Sequence, residues 1–93
     1  MIVELAMISV RAGTEDQFLR KFAEAQRVLV GSDGYLSHTL RRSIEHPHRF
    51  ALAVEWRTLE DHTQGFRGSD AFKQWRALIG PFFESPPIVE HFS

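Results

Sequence analysis

The stretch Ile2 to Val10 narrows the possible folds more than any other. It reads as a strand. Ile2, Ala6, Ile8 and Val10 fall on one face, and Val3, Leu5 and Met7 on the other. Alternation puts successive side chains on opposite faces, so a strand apolar on both faces is buried on both. Something must therefore cover each side of its sheet. Glu4 is the exception, on the Ile2/Ala6 face.

The rest of the chain supplies one covering layer. Thr14 reads as an N-cap with Gln17 three positions on, a capping box, and Glu15 and Asp16 suit the positive helix end. Phe18, Phe22, Ala25 and Leu29 then form one apolar helical stripe. Gly31 is expected at the helix C′ position, and Ser32-Asp33-Gly34 is a turn. Tyr35 to Ser43 reads as a second strand, with Leu36, His38 and Leu40 on one face and Tyr35, Ser37, Thr39 and Arg41 on the other. The third strand, Arg49 to Trp56, alternates Phe50, Leu52, Val54 and Trp56 against Ala51, Ala53 and Glu55. The short link makes these two strands a hairpin. Thr58 caps a short helix over Leu59 to Phe66, limited by Gly65 and Gly68. Ser69 caps a longer one, whose stripe is Phe72, Trp75 and Ile79. Gly80-Pro81 stops it, Pro86-Pro87 is extended, and Ile88 to Phe92 is a last strand.

The order β-α-β-β-α-β is the split βαβ, an α+β ferredoxin-like arrangement with a four-stranded antiparallel sheet and helices on one face. Residues 1–93 form a single domain. The helix-free face remains apolar or small, at Val3, Leu5, Met7, Ala51 and Ala53. Such a face is uncommon on a soluble monomer, so an isologous homodimer is expected, sheet against sheet. Glu4, Arg41, Glu55, Arg57, Glu90 and His91 are expected to form the charged rim of that seam.

Several classes are excluded. A net charge of −1 offers no electrostatic reason to expect nucleic acid or an anionic membrane as partner. There is no cysteine, hence no disulfide, thiol chemistry or cysteine metal site, and a cytoplasmic location is expected. No basic leader with a long apolar run precedes the first strand, so no signal peptide is expected. No apolar run approaches the roughly 20 residues of a membrane helix. The five His lack metal spacing, with His46-x-His48 the only close pair, so no metal is expected.

Chemistry gathers at the corner from Glu55 to Trp75, where large rings surround a strand-to-helix junction. His62 is the candidate catalytic residue. It shares a helix side with Phe66 at i+4, and beside apolar walls it could take a proton from a phenol or enol. The plainer reading is a His that bonds to a nearby carbonyl. Trp56, Phe66, Phe72 and Trp75 are candidate substrate contacts, although such rings also serve as core. Trp75 has an indole N–H that favours a boundary position. Arg67 and Arg76 could orient an anionic group. His38 is a second polar contact if its strand face lines the pocket.

The corner Glu55-Trp56, the run from Asp61-His62 through Ser69-Asp70-Ala71-Phe72, and the ending Val89-Glu90-His91-Phe92 resemble the antibiotic biosynthesis monooxygenase family across essentially the whole chain. The resemblance implies a dimeric α+β barrel with a pocket between the sheet and helices of each protomer. Some members oxidise polycyclic phenols to quinones with O2 and neither metal nor flavin, others bind and open haem, and many have no assigned activity. The haem-opening branch uses an Asn in the first strand, a Trp on the helix after the third strand and a His on the next helix. The first strand here has no Asn, Phe66 stands near the Trp place and Arg76 near the His place. Haem ligation of that kind is therefore not favoured. The expectation is a small cofactor-independent monooxygenase acting on an aromatic phenol or quinol. The alternatives are a non-catalytic ligand-binding or interaction module, and a haem protein with altered ligation.

Overall fold

The doubly apolar strand takes an inner place in the sheet. The computed structural model describes residues 1–93. Its elements are β1 (Ile2–Ser9), α1 (Glu15–Val30), β2 (Tyr35–Arg42), β3 (Arg49–Trp56), α2 (Asp70–Ile79) and β4 (Ile88–Phe92). The strands lie in the order β2-β3-β1-β4, with every neighbouring pair antiparallel. This is the ferredoxin-like fold.

Both helices cover the face that carries Ala6 and Ile8. Phe18, Phe22, Ala25 and Leu29 of α1 are buried, as are Trp75 and Ile79 of α2. They close over Phe50, Leu52, Val54 and Trp56, the whole inward set of β3. The rings interlock at angles: Phe18 meets Phe50 at 4.9 Å, and Phe22 meets Trp75 edge-on at 5.7 Å. Each of these side chains contributes about 1.5–3 kcal/mol by leaving water. This shared apolar layer holds the helices to the sheet.

Local chemistry differs from expectation at four places. Thr14 begins α1, but its hydroxyl donates to the Arg11 carbonyl at 2.6 Å. The Glu15 carboxylate instead takes the Gly13 N–H at 2.8 Å, so no capping box forms with Gln17. Gly31 ends α1 at φ −80°, without the left-handed turn of a C′ glycine. The left-handed residue is Gly34, at φ +83°. In β2 an irregularity between Tyr35 and Ser37 inserts one residue. A bulge shifts side-chain parity, so Tyr35 joins His38 on the helix side and Leu36 is left 51% exposed. Finally, the segment Asp61–Phe66 is a wide helical turn. The Arg67 N–H donates to the His62 carbonyl five residues back, at 3.0 Å.

The caps on either side of that turn match expectation. The Thr58 hydroxyl accepts the Asp61 N–H at 3.1 Å, and the Ser69 hydroxyl accepts the Phe72 N–H at 3.2 Å. Arg57 grips Asp61 through two nitrogens, at 3.0 and 3.1 Å, while its own N–H donates to the Gly34 carbonyl at 2.8 Å. The turn before β2 is thus tied to the corner after β3. A Cβ on Gly34 would collide with the Asp61 carboxylate, whereas one on Gly13, also left-handed, would meet nothing. Gly34→Ala is therefore expected to lower unfolding free energy by about 2 kcal/mol or more, and Gly13→Ala by about 1 kcal/mol. Urea unfolding of the two variants side by side checks the difference.

Candidate functional site

Glu4 lies on an inner strand and points under the helices. Strand parity puts it on the same side as Ala6, and it is only 7% exposed. Directly across the ladders stand Val54 on β3 and His91 on β4. Glu4 and His91 therefore do not belong to the rim of the helix-free face, as expected from sequence. Their parity turns both inward, while Glu90, between Val89 and His91, turns out. Glu55 and Arg41 do lie on the helix-free face, and Glu55 accepts from the Ser37 hydroxyl. Arg57 is held at the corner by Asp61.

Two rings meet the Glu4 carboxylate, and a third stands behind one of them. The Trp56 indole N–H donates to Oε1 at 3.0 Å. His62, arriving on the wide turn, brings Nε2 to 3.2 Å from the same oxygen. The other His62 nitrogen, Nδ1, lies 2.8 Å from His91 Nε2. Trp56 also stacks on the His62 ring, with centroids 5.3 Å apart and planes at 24°. His62 is 2% exposed, and its ring is fixed on every side.

Burial raises the Glu4 carboxyl above its usual range, against the opposing pull of the Trp56 N–H and the Arg67 guanidinium. Burial, then Arg67, then His91 lower His62 from the usual 6.5 to about 4. His62 is therefore neutral at physiological pH, with one protonated nitrogen. His62 Nε2 stands in ion-pair range of Glu4 Oε1 but outside hydrogen-bond geometry, and His62 Nδ1 shares a hydrogen bond with His91 Nε2 whose direction the tautomer sets. The three groups form a line rather than a claw, and no three His, Asp or Glu side chains are placed to share a metal ion.

Next to this line lies a cavity of about 70 Å³. Glu4, His62 and Arg67 are its charged or titratable walls, and Ile8, Leu29, Phe66, Phe72, Trp75 and Phe83 are among its apolar ones. The Trp56 donor uses Oε1. Every fully buried side-chain oxygen or nitrogen has a partner, so the unbonded Oε2 keeps some accessible surface. Phe72, Trp75, Phe83 and Pro87 also line an outer groove of about 440 Å³. These four residues are common to the two. Arg67 makes no side-chain ion pair, while Arg76 lies over the Phe72 ring at 5.8 Å on the groove side.

Of the residues singled out in the sequence, His62, Phe66, Phe72 and Trp75 come together around the cavity. Arg76 stands outside it, in the groove. Trp56 lies behind His62 and does not line the cavity. His38 does not reach it either: its Nδ1 bonds the Tyr35 hydroxyl at 2.6 Å and its Nε2 lies 3.2 Å from Gln26 Oε1. The bulge that brings Tyr35 inward satisfies His38 within its own strand. Glu4 and His91 are the residues that sequence reading misplaced. The available signal was Glu4 itself, an acidic side chain on the inward face of an otherwise apolar strand.

The lowered His62 pKa has a consequence for stability. Unfolded, the side chain gains its proton near pH 6.5; folded, it resists protonation to about pH 4. The unfolded chain binds more protons between those values, so this contribution is complete above the upper one and fades as pH falls to the lower. Its full size is on the order of 3 kcal/mol. Glu4 works in the opposite sense, favouring the folded state in acid and losing that effect as pH rises through its raised folded value. Urea unfolding across the acid range is expected to show stability falling with pH, and His62→Gln to flatten the slope.

The chain is similar to known proteins along almost all of its length. The pattern described as antibiotic biosynthesis monooxygenase matches residues 1–78. The uncharacterized protein YczJ of Bacillus subtilis (strain 168) is 44% identical over 92 residues, spanning 99% of this chain and 97% of that one. A crystal structure from Bordetella bronchiseptica, described as an antibiotic biosynthesis monooxygenase, superposes with a TM-score of 0.96 at 39% identity, over 99% of this chain and 94% of the other. SnoaB, a cofactor-independent oxygenase from Streptomyces nogalater, shares the fold with a TM-score of 0.83 at 14% identity, over 99% and 90% of the two chains. This chain belongs to the antibiotic biosynthesis monooxygenase family.

Proposed function

We propose that the protein is a cofactor-independent monooxygenase that oxidises an electron-rich phenol or quinol to a quinone. The observation that carries this reading is the Glu4 carboxylate, with one free oxygen against an apolar cavity and a pKa raised by burial. A general base works best when its pKa approaches the operating pH. Family membership and the shared fold of a cofactor-independent oxygenase support the same reading.

The chemistry balances without an added reductant. The phenolic O–H gives its proton to Glu4 Oε2, and the electron-rich phenolate passes an electron to O2. The resulting radical and superoxide combine in a new C–O bond at the ring. The ring carbon then loses its hydrogen as the O–O bond breaks, leaving a second carbonyl. One oxygen atom stays in the quinone and the other leaves as water, taking back the proton held by Glu4. The protein supplies the proton acceptor, a water-poor wall and orientation; the substrate supplies the electrons. In this reading the direct base is Glu4, and the expected catalytic role of His62 becomes one of contact with Glu4 on one side and His91 on the other.

Size decides how the ring sits. An engineered cavity of about 150 Å³ takes up benzene, and this one is about half that. The reacting edge of a bicyclic substrate enters the cavity, and the remainder lies in the groove past Phe72, Trp75 and Phe83. Arg67 at the inner rim and Arg76 in the groove then orient an anionic substituent.

The helix-free face completes the proposal. Val3, Leu5, Met7, Ala51 and Ala53 share it with Ile88 and Phe92, which are 74% and 45% exposed. We infer that two copies pair through it as a homodimer. Sedimentation equilibrium is expected to report two chains, and Ala53→Glu to return single chains.

Oxygen uptake with dihydroxynaphthalene-type quinols tests the activity. Protein-dependent uptake with quinone formation is expected, and Glu4→Gln is expected to lower kcat by about 100-fold or more with unchanged circular dichroism. Full turnover in Glu4→Gln, or no uptake with any quinol, overturns the oxygenase. In the latter case saturable quinol binding identifies a ligand-binding module instead.

A further inference from the structure

A base buried at the end of a cavity faces a difficulty once substrate enters. Glu4 must be ionised to accept the phenolic proton, and once a ring lies over the cavity a protonated Glu4 cannot shed its proton by that route. We propose that His91 is the outer end of a proton line that joins Glu4 to solvent through His62. The proposal rests on the reading of Glu4 as the group that accepts the substrate proton.

The line is set by two short contacts, 3.2 Å from Glu4 Oε1 to His62 Nε2 and 2.8 Å from His62 Nδ1 to His91 Nε2. Each imidazole is entered at one nitrogen and left at the other. A proton arriving at His91 Nδ1 lets His91 give its Nε2 proton to His62 Nδ1. His62 then gives its Nε2 proton to Glu4 Oε1. Every group takes one proton and gives one, and the net change is one proton moved from solvent to the carboxylate. The reverse sequence empties Glu4. The step between the imidazoles follows an existing hydrogen bond, and the step to Glu4 needs a small tilt of the His62 ring to aim Nε2 at Oε1.

Three features suit His91 to this place. It is half-buried while His62 is closed, so the line leads outward. It lines neither the cavity nor the groove, so substrate does not obstruct it. Its position is fixed by the sheet, because His91 pairs directly with Glu4 across the β1–β4 ladder. The charged group acting on both Glu4 and His62 is Arg67, which disfavours charge on His62. A proton is therefore passed through His62 rather than stored there. His91 also lies beyond residues 1–78, so the family pattern does not assign it.

His91→Ala is the first variant. Quinol turnover is expected to lose about tenfold in kcat with little change in KM, and added imidazole is expected to restore it saturably. In Glu4→Gln the same His91 change is expected to cost nothing further, since the two act in one line. An undiminished kcat, or a loss that imidazole leaves untouched, overturns the proposal. A second readout needs no turnover. With a quinol bound under argon, nitrogen-15 NMR is expected to find His62 neutral, with exchange of its ring proton into D2O slowed about tenfold or more in His91→Phe. Exchange as fast or faster in His91→Phe overturns the line. A protein that oxidises no quinol yet exchanges through His91 loses the oxygenase reading and keeps the line. One whose turnover ignores His91 loses the line and keeps the oxygenase.

Discussion

A carboxylate placed inside an apolar layer is stable only where donors meet it, because an unpaired buried charge costs several kcal/mol. Glu4 meets that condition with the Trp56 indole N–H on one oxygen and the His62 imidazole beside it. Much of the architecture serves this meeting. β3 ends on Trp56 so that its N–H reaches back toward β1. The chain turns at Thr58 and descends on a wide turn, which lowers His62 onto the same oxygen. β4 returns along β1 and places His91 behind it. Losing the Trp56 donor would leave Glu4 without its hydrogen bond, so the core and the site share that bond.

The same sheet has two different faces because β1 is inner and doubly apolar. On one side, helices and rings leave a small cavity with a single acid. On the other, Val3, Leu5 and Met7 lie among small side chains with no helix above them. Pairing of two copies there would put a second layer behind the strand that carries Glu4. Burial on both sides stiffens a strand, and a stiff strand holds a carboxylate to within the tolerance that proton transfer needs.

Most of the fold was legible because it depends on period. Two-residue alternation marked the strands, the Phe18-Phe22-Ala25-Leu29 stripe marked α1, and Thr58 and Ser69 marked the two starts after β3. What escaped was set by single residues acting at a distance. The bulge at Tyr35 and Leu36 adds one residue to a regular pattern, and no local signal separates it from plain alternation. His62 could be singled out as a ring beside other rings, yet its partners could not. Glu4 is 58 residues from it and His91 is 29 residues away, and only the strand order brings them together. Glu4 drew notice as an anomaly in β1. Its inward direction, readable from parity with Ala6, mattered more than its charge.

The wide turn at Asp61–Phe66 holds one residue more than a regular helix would use for the same rise. Each helical residue turns the chain by about 100°. Removal of one residue there would restore ordinary winding and swing the imidazole away from the acid, while the caps at Thr58 and Ser69 could stay in place. The loss of a single codon would thus part His62 from Glu4 while leaving the caps and the sheet as they are.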